Sequence, residues 1–340
     1  MEQTSPTATP LLAVDDLRIT FPSARGDVQA VRGVSFHVAG GEAVALVGES
    51  GSGKSVTAGA VMGIVDKPGV VVGGGVRWRG KPMLGSREAA RYARSVRGRD
   101  IAMVFQDPMT SLDPLATIGS QLIESIRTHM GLGRAQARAR ALEYLELVGI
   151  SSPQRRLTQF PHELSGGMRQ RVLIAQAVSC NPAMLVADEP TTALDVTIQA
   201  QVLDVIDRLR RELGLALLLI THDLGVVAET CERVQVMYGG KLVETAPTRR
   251  FFSHPEHPYS ASLLASTPSL DDDVDRLFAI PGAPPDMARP PAGCAFQPRC
   301  PVALDRCVEE QPDPVVVAGR PVSCWLPSTI AAHEGLAGHV

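Results

Sequence analysis

The feature that most constrains this chain is a glycine-rich turn set between an apolar run and a helix-like stretch. Ala43 to Val47 is uniformly apolar and leads directly into Gly48-Glu49-Ser50-Gly51-Ser52-Gly53-Lys54-Ser55. Glycine, four residues, then Gly-Lys-Ser in a strand, loop, helix setting is the pattern of a phosphate-binding loop. The glycines let successive backbone N–H groups converge on phosphate oxygens, and the helix start adds partial positive charge. Lys54 suits the β and γ phosphates of a nucleoside triphosphate, and Ser55 suits its magnesium. The expected binding set is Gly48, Ser50, Gly51, Ser52, Gly53, Lys54 and Ser55.

Such a site needs acidic residues opposite the loop. Met184 to Ala187 is a second short apolar run, and it ends in Asp188-Glu189. Ligands of open α/β sheets sit at the carboxyl ends of the strands, which is where these two carboxylates fall. Asp188 is expected to hold magnesium through water and Glu189 to polarise the attacking water. Two more apolar runs, Ile101 to Phe105 and Leu215 to Ile220, complete the strands of a parallel α/β sheet. Near the start, Val14, Leu17, Ile19 and Phe21, then Val34, Phe36 and Val38, alternate with polar residues and point to an antiparallel sheet. The middle of the chain is helical in pattern, with apolar residues at three- and four-residue spacing over 121–128, 135–148 and 168–178.

Composition narrows the class. Lys and Arg total 33 against 36 Asp and Glu, a net charge of -3, so the basic surplus of a nucleic-acid binder is missing. The one basic stretch, Arg77 to Arg99, carries Arg87, Arg91, Arg94 and Arg97 at helical spacing and reads as a solvated helix face. Apolar runs stop well short of the ~18 residues that span a bilayer. The start, MEQTSPTATP, has neither a basic region nor an apolar core, so a cytosolic location is expected. Fifteen of the 26 prolines follow residue 240, which places a domain boundary near 245.

Leu164-Ser165-Gly166-Gly167-Met168, ahead of the Asp-Glu run, resembles the signature motif of ABC-type ATPases. The resemblance extends to Gln106 as the Q-loop glutamine, Ala193-Leu194-Asp195 as the D-loop and His222 as the switch histidine. Phe21 stands where the family has the aromatic that stacks on adenine. The family fold is a RecA-like core with an antiparallel β subdomain and a helical subdomain, here about 107–180 of a cassette spanning 1–245. Catalytic roles then fall to Glu189, His222 and Gln106, and magnesium to Ser55, Gln106 and Asp188. Ser165, Gly166 and Gly167 would close over the ATP of a partner subunit, with Asp195 nearby.

Over nearly the whole chain the resemblance is to the ATPase subunits of dipeptide and oligopeptide importers. It rests on the run Gln106 to Pro114, on Gly166 to Val172 and on His257-Pro258-Tyr259. Nickel, glutathione and opine importers share these features, so the solute stays open, and a soluble ABC ATPase acting on nucleic acid is the rival class. The resemblance implies a sister ATPase, since Met168 is typical of one of two ATPase types, together with two permeases, an extracytoplasmic peptide-binding protein and a peripheral place on the inner membrane face. The extension, 246–340, holds Cys294, Cys300, Cys307 and Cys324 at spacings of five, six and sixteen residues. Paired zinc ligands usually stand closer. An iron-sulfur cluster, which some family members hold there, is expected, with zinc or unliganded thiols as alternatives. Cys180 and Cys231 read as small core residues, and His254 and His257 as loop residues.

Overall fold

The computed structural model describes residues 9–105, 111–191, 194–266 and 279–327. The chain divides into two compact units, one formed by Met1–His37, Ala43–Ser86 and Ile220–Val340, the other by Val38–Glu42 and Arg87–Leu219. The first unit opens with Leu12–Phe21 (β1) and Val28–Val38 (β2), then Ala43–Val47 (β3), helix Lys54–Val61 (α1), Val70–Trp78 (β4) and the short Lys81–Pro82 (β5). One sheet has the order β2-β1-β4-β5. Its β1 and β4 are antiparallel, with Leu12 opposite Trp78 and Val14 opposite Val76. The alternation seen in the sequence is the alternation of its faces: Val14, Leu17, Ile19, Val34, Phe36 and Val38 are buried between exposed neighbours.

The second unit contains Arg87–Val96 (α2), Ile101–Val104 (β6), Ile118–Met130 (α3), Arg134–Leu147 (α4), Pro153–Arg156 (α5), Gly166–Val178 (α6), Met184–Asp188 (β7), Val196–Leu213 (α7) and Ala216–Ile220 (β8). Strand order here is β8-β7-β6, and β6 and β7 are parallel, Ile101 opposite Met184 and Val104 opposite Ala187. The basic helix α2 buries Ala89, Ala93 and Val96 and exposes Arg87, Arg91 and Arg94 as expected, whereas Arg97 falls past its end and is half-buried. Helix α3 begins before the apolar spacing does, because the Thr117 hydroxyl accepts the Ser120 N–H and caps it.

The first unit resumes with Leu224–Thr230 (α8), Arg233–Tyr238 (β9), Lys241–Pro247 (β10), Thr248–Ser253 (α9), Pro258–Ala265 (α10), Arg306–Glu309 (α11), Val315–Val317 (β11) and Arg320–Val322 (β12). These strands lie in the order β11-β12-β10-β9-β3. Every residue of β3 is fully buried, which explains an apolar run without alternation. Strands β3 and β9 are parallel, with Val44 opposite Arg233 and Val47 opposite Val236. Both therefore end at one edge, and the loop after Val47 emerges beside Met237 and Tyr238. Among the described residues no helix is long and apolar enough to cross a membrane. Cys180 and Cys231 are buried.

Candidate functional site

At that edge the loop closes on itself around glycine. A Cβ on Gly48, at φ 150°, would stand 2.1 Å from the Met237 carbonyl oxygen; one on Gly53, at φ 103°, would stand 2.3 Å from the Ala30 carbonyl oxygen. Neither position admits a side chain. The Gly240 N–H, in the turn between β9 and β10, donates to the Ser52 carbonyl at 3.1 Å and ties the loop to the sheet. Buried Lys54 donates from Nζ to the carbonyls of Gly48 (2.7 Å) and Glu49 (2.9 Å), which holds its ammonium inside the curve of the loop. No side chain caps α1 at Gly53. The Ser52 hydroxyl oxygen is buried without a hydrogen-bond partner. An uncapped helix start and an orphaned hydroxyl, curled around an ammonium, fit a phosphate group. Ser50 and Gly51 are exposed on the loop, and Ser55 is exposed in the first turn of α1.

Glu49 is gripped from two sides by parts of the chain that the sequence reading did not connect to the loop. Its N–H donates to Tyr259 Oη at 2.8 Å. Its carboxylate receives both arms of Arg299, Nη1 to Oε2 at 2.6 Å and Nη2 to Oε1 at 2.9 Å. Burial raises the Tyr259 and Tyr238 hydroxyls above their ordinary range, so both remain protonated at neutral pH. Elsewhere in this unit His222 is exposed on a turn shaped by its neighbours: the Asp223 N–H donates to Thr221 Oγ1 at 3.0 Å and the Asp223 carboxylate caps α8. Phe21 is half-buried, at the end of β1.

In the second unit Asp188 is the buried last residue of β7. Glu189, just beyond, has φ 44°, a left-handed conformation that an L residue adopts at a cost and that turns the chain sharply at the strand end. Ser165 is exposed and caps α6 through a hydrogen bond from the Met168 N–H at 3.3 Å. Gly167 sits where a Cβ would meet Ile198 Cγ2 at 2.5 Å, and Gly166 lies against Leu194, so the signature turn packs on the D-loop segment. Asp195 is exposed at the N-cap position of α7 without a side-chain capping bond. Gln106 and Ala193 lie outside the described residues. A groove of about 230 Å³ in the second unit is lined by Ala102, Phe105, Ser111, Ser125, His129 and Leu173, with Phe105 half exposed.

The four tail cysteines come together. Cys294, Cys300, Cys307 and Cys324 line one small cavity with Phe296 and Trp325. The turn Gln297–Arg299 bends the chain between the first two, and the Cys294 N–H donates to the Cys307 carbonyl at 2.8 Å. Burial pushes the Cys300 and Cys324 thiols up to about 11 and also raises Cys294. No group of three or more His, Cys, Asp or Glu among the described residues is arranged to hold a metal ion as it stands. The donor set is nevertheless four soft sulfurs with no carboxylate in the cavity wall, a chemistry that suits iron-sulfur or zinc. The cavity of about 20 Å³ has room for roughly one water, so a larger group enters only if the wall opens. His257 lines the same cavity; its buried ring is pushed down to about 3 and is neutral, and its Nδ1 accepts the Tyr259 N–H.

Known proteins are similar to this chain in sequence and fold. A family described as "ABC transporter" matches residues 31–192, and one described as "Oligopeptide/dipeptide transporter, C-terminal region" matches residues 243–307. A dimeric bacterial ABC transporter cassette, MJ0796, is similar with a TM-score of 0.61 and 28% identity, covering 70% of this chain and 99% of that one. The cbiO1 structure from Clostridium perfringens gives a TM-score of 0.61 and 27% identity over 72% of this chain and 92% of that one. Fold and site thus define an ABC-type cassette, an ATP-hydrolysing enzyme. The oligopeptide transport ATP-binding protein OppD of Bacillus subtilis strain 168 is 48% identical over 321 residues, 94% of this chain and 89% of that protein. OppD of Salmonella typhimurium is 46% identical over 320 residues, 94% of this chain and 95% of that protein. The chain belongs to the family of ATP-binding proteins of oligopeptide/dipeptide ABC transporters.

Proposed function

We propose that this chain powers an importer of di- or oligopeptides across the cytoplasmic membrane, seated on the inner face against two permease subunits that an extracytoplasmic peptide-binding protein supplies. The observation that carries the peptide reading is the C-terminal match over residues 243–307, placed behind an ABC cassette in one chain. Residues 1–245 serve as the cassette and 246–340 as the extension. Gly48, Ser50, Gly51, Ser52, Gly53 and Lys54 bind the triphosphate, Phe21 stacks on adenine, and Ser55, Gln106 and Asp188 hold magnesium. Glu189 polarises the attacking water, with His222 and Gln106 placed to sense and stabilise the γ-phosphate. Ser165, Gly166, Gly167 and Asp195 face the nucleotide of a sister ATPase in a heterodimer. The half-exposed Phe105 and the mixed polar and apolar groove beside it offer a seat for a permease segment.

In the tail, the four cysteines are proposed ligands of a four-iron cluster that braces the Pro-rich extension by drawing its strands onto one metal group. Supporting this is the convergence of all four sulfurs on one cavity. Anaerobically purified protein should be brown, with about four irons per chain; colourless protein carrying one zinc moves the reading to zinc, and metal-free protein to plain thiols. The test of the transport reading is reconstitution with the co-purifying permeases. ATP hydrolysis should rise with peptide-loaded binding protein and not with nickel, glutathione or opines. Stimulation by one of those instead replaces the peptide, and tight salt-sensitive DNA binding without permeases replaces the transporter.

A further inference from the structure

The phosphate loop carries an acid where it must attract an anion. Glu49 directly follows Gly48, in the same turn whose amides and Lys54 serve a triphosphate, and a free carboxylate there opposes the ligand. The structure supplies a specific answer from residues 250 positions away. All five N–H groups of Arg299 are used: Nε donates to the Pro281 carbonyl (2.9 Å), Nη1 to Glu49 (2.6 Å) and Tyr238 Oη (3.1 Å), Nη2 to Glu49 (2.9 Å) and the Ile280 carbonyl (3.3 Å). The guanidinium is therefore fixed before any nucleotide arrives, and its side chain is only 5% exposed. Tyr259 Oη accepts the backbone N–H of the same glutamate, so that amide already has a partner within the protein.

The clamp and the cysteine site are one piece of chain. Between Cys294 and Cys300 lie five residues, and two of them do the reaching: Arg299 to Glu49, and Phe296 to the rings of Tyr238 and Tyr259, each with centroids at 5.3 Å. Tyr238 and Tyr259 meet at a tilt, with centroids 4.5 Å apart and planes at 52°, so the three rings form one aromatic cluster beside the loop. Phe296 is 1% exposed.

We propose that Arg299 is a positioning residue for ATP binding: it neutralises Glu49 and holds it off the triphosphate, so that the cysteine-bearing tail sets the affinity of the phosphate loop. The inference rests on that loop binding ATP and is independent of which solute is moved.

The test measures Mg-ATP affinity of the full-length chain at low and high salt. A unit charge uncovered near a triphosphate, partly screened, changes affinity by roughly tenfold. R299Q should bind about tenfold more weakly, with most of the loss at low salt. R299K, which retains charge but only one contact, should fall between R299Q and the natural chain. R299Q/E49Q should regain most of the lost affinity, because the offending carboxylate is gone. A merely structural Arg299 predicts the reverse: the double variant as weak as R299Q, or R299Q with unchanged affinity, and either result overturns the proposal. E49Q alone guards against misfolding of the Arg299 variants; it should bind ATP several-fold more tightly, and weaker binding also overturns the proposal. Mg-ATP binding by the natural chain is the control, since its absence overturns the site itself and this inference with it.

Discussion

Alanine at Gly53 and at Gly51 separates two reasons for glycine in the loop. Both have positive φ, 103° and 76°, so both substitutions carry the left-handed penalty of ~1–2 kcal/mol. At Gly51 a Cβ meets nothing within 4 Å. At Gly53 it stands 2.3 Å from the Ala30 carbonyl oxygen and 2.7 Å from Met237 Cε. The methionine tip can yield, but the carbonyl belongs to β2, so the loop must back away by about 1 Å to reach ordinary contact. That shift pulls the start of α1 with it, which adds ~2 kcal/mol of overpacking strain. With an unfolding entropy of ~2.1 cal/mol/K per residue over the roughly 200 residues of the unit that holds the loop, its melting midpoint should fall by about 4 °C for Gly51→Ala and about 8 °C for Gly53→Ala. The assay is calorimetry of the nucleotide-free chain, followed on the transition that Mg-ATP shifts, since two compact units need not melt together. Saturating Mg-ATP should raise that midpoint in the natural chain and fail to do so in Gly53→Ala. Equal midpoints for the two variants, or equal rescue of Gly53→Ala by ATP, would refute the close-approach argument.

Other expectations follow from the remaining sites. Glu189→Gln should keep Mg-ATP binding and lower turnover by at least ~100-fold in the assembled transporter, the scale of a lost general base; near-normal turnover removes Glu189 from that role. Ser165→Arg should leave nucleotide binding at this chain's own loop nearly intact while transport stops, whereas equal loss at both sites means the signature acts within its own chain. The buried His257 ring, pushed down to about 3, binds a proton only when the chain unfolds, so its contribution is complete above about pH 6.5 and is lost as pH falls below that. Between pH 6.5 and 5 this amounts to ~2 kcal/mol. His257→Asn retains a capping acceptor and should flatten the acid limb of a stability-versus-pH curve; an unchanged limb assigns the acid sensitivity elsewhere.

What could be read in the sequence was local. Glycine spacing in a strand, loop, helix frame depends on contacts within a few residues, so the turn Gly48 to Ser55 and its Lys54 were legible before any coordinates. The fully buried β3 was legible as an apolar run, and α6 as a helix, because apolar residues recur at three- and four-residue spacing over 168–178. Apolar spacing marks helix α3 only from residue 121, three residues past its true start, because the start is set by the polar Thr117 cap. The bonds between Arg299 and Glu49 had no such local signature. Nothing in a run of Gln-Pro-Arg announces a partner 250 residues earlier; that pairing exists only once parallel β3 and β9 have brought the loop beside Tyr238. The cysteines fall between these cases. Their bunching was visible, yet spacings of five, six and sixteen residues say nothing about convergence. Convergence comes from the turn Gln297–Arg299 and the Cys294–Cys307 backbone bond, and the same turn aims Arg299 at the loop. A tail that looked separable in sequence from complete ATPase motifs is thus joined to them by the turn between two of its cysteines.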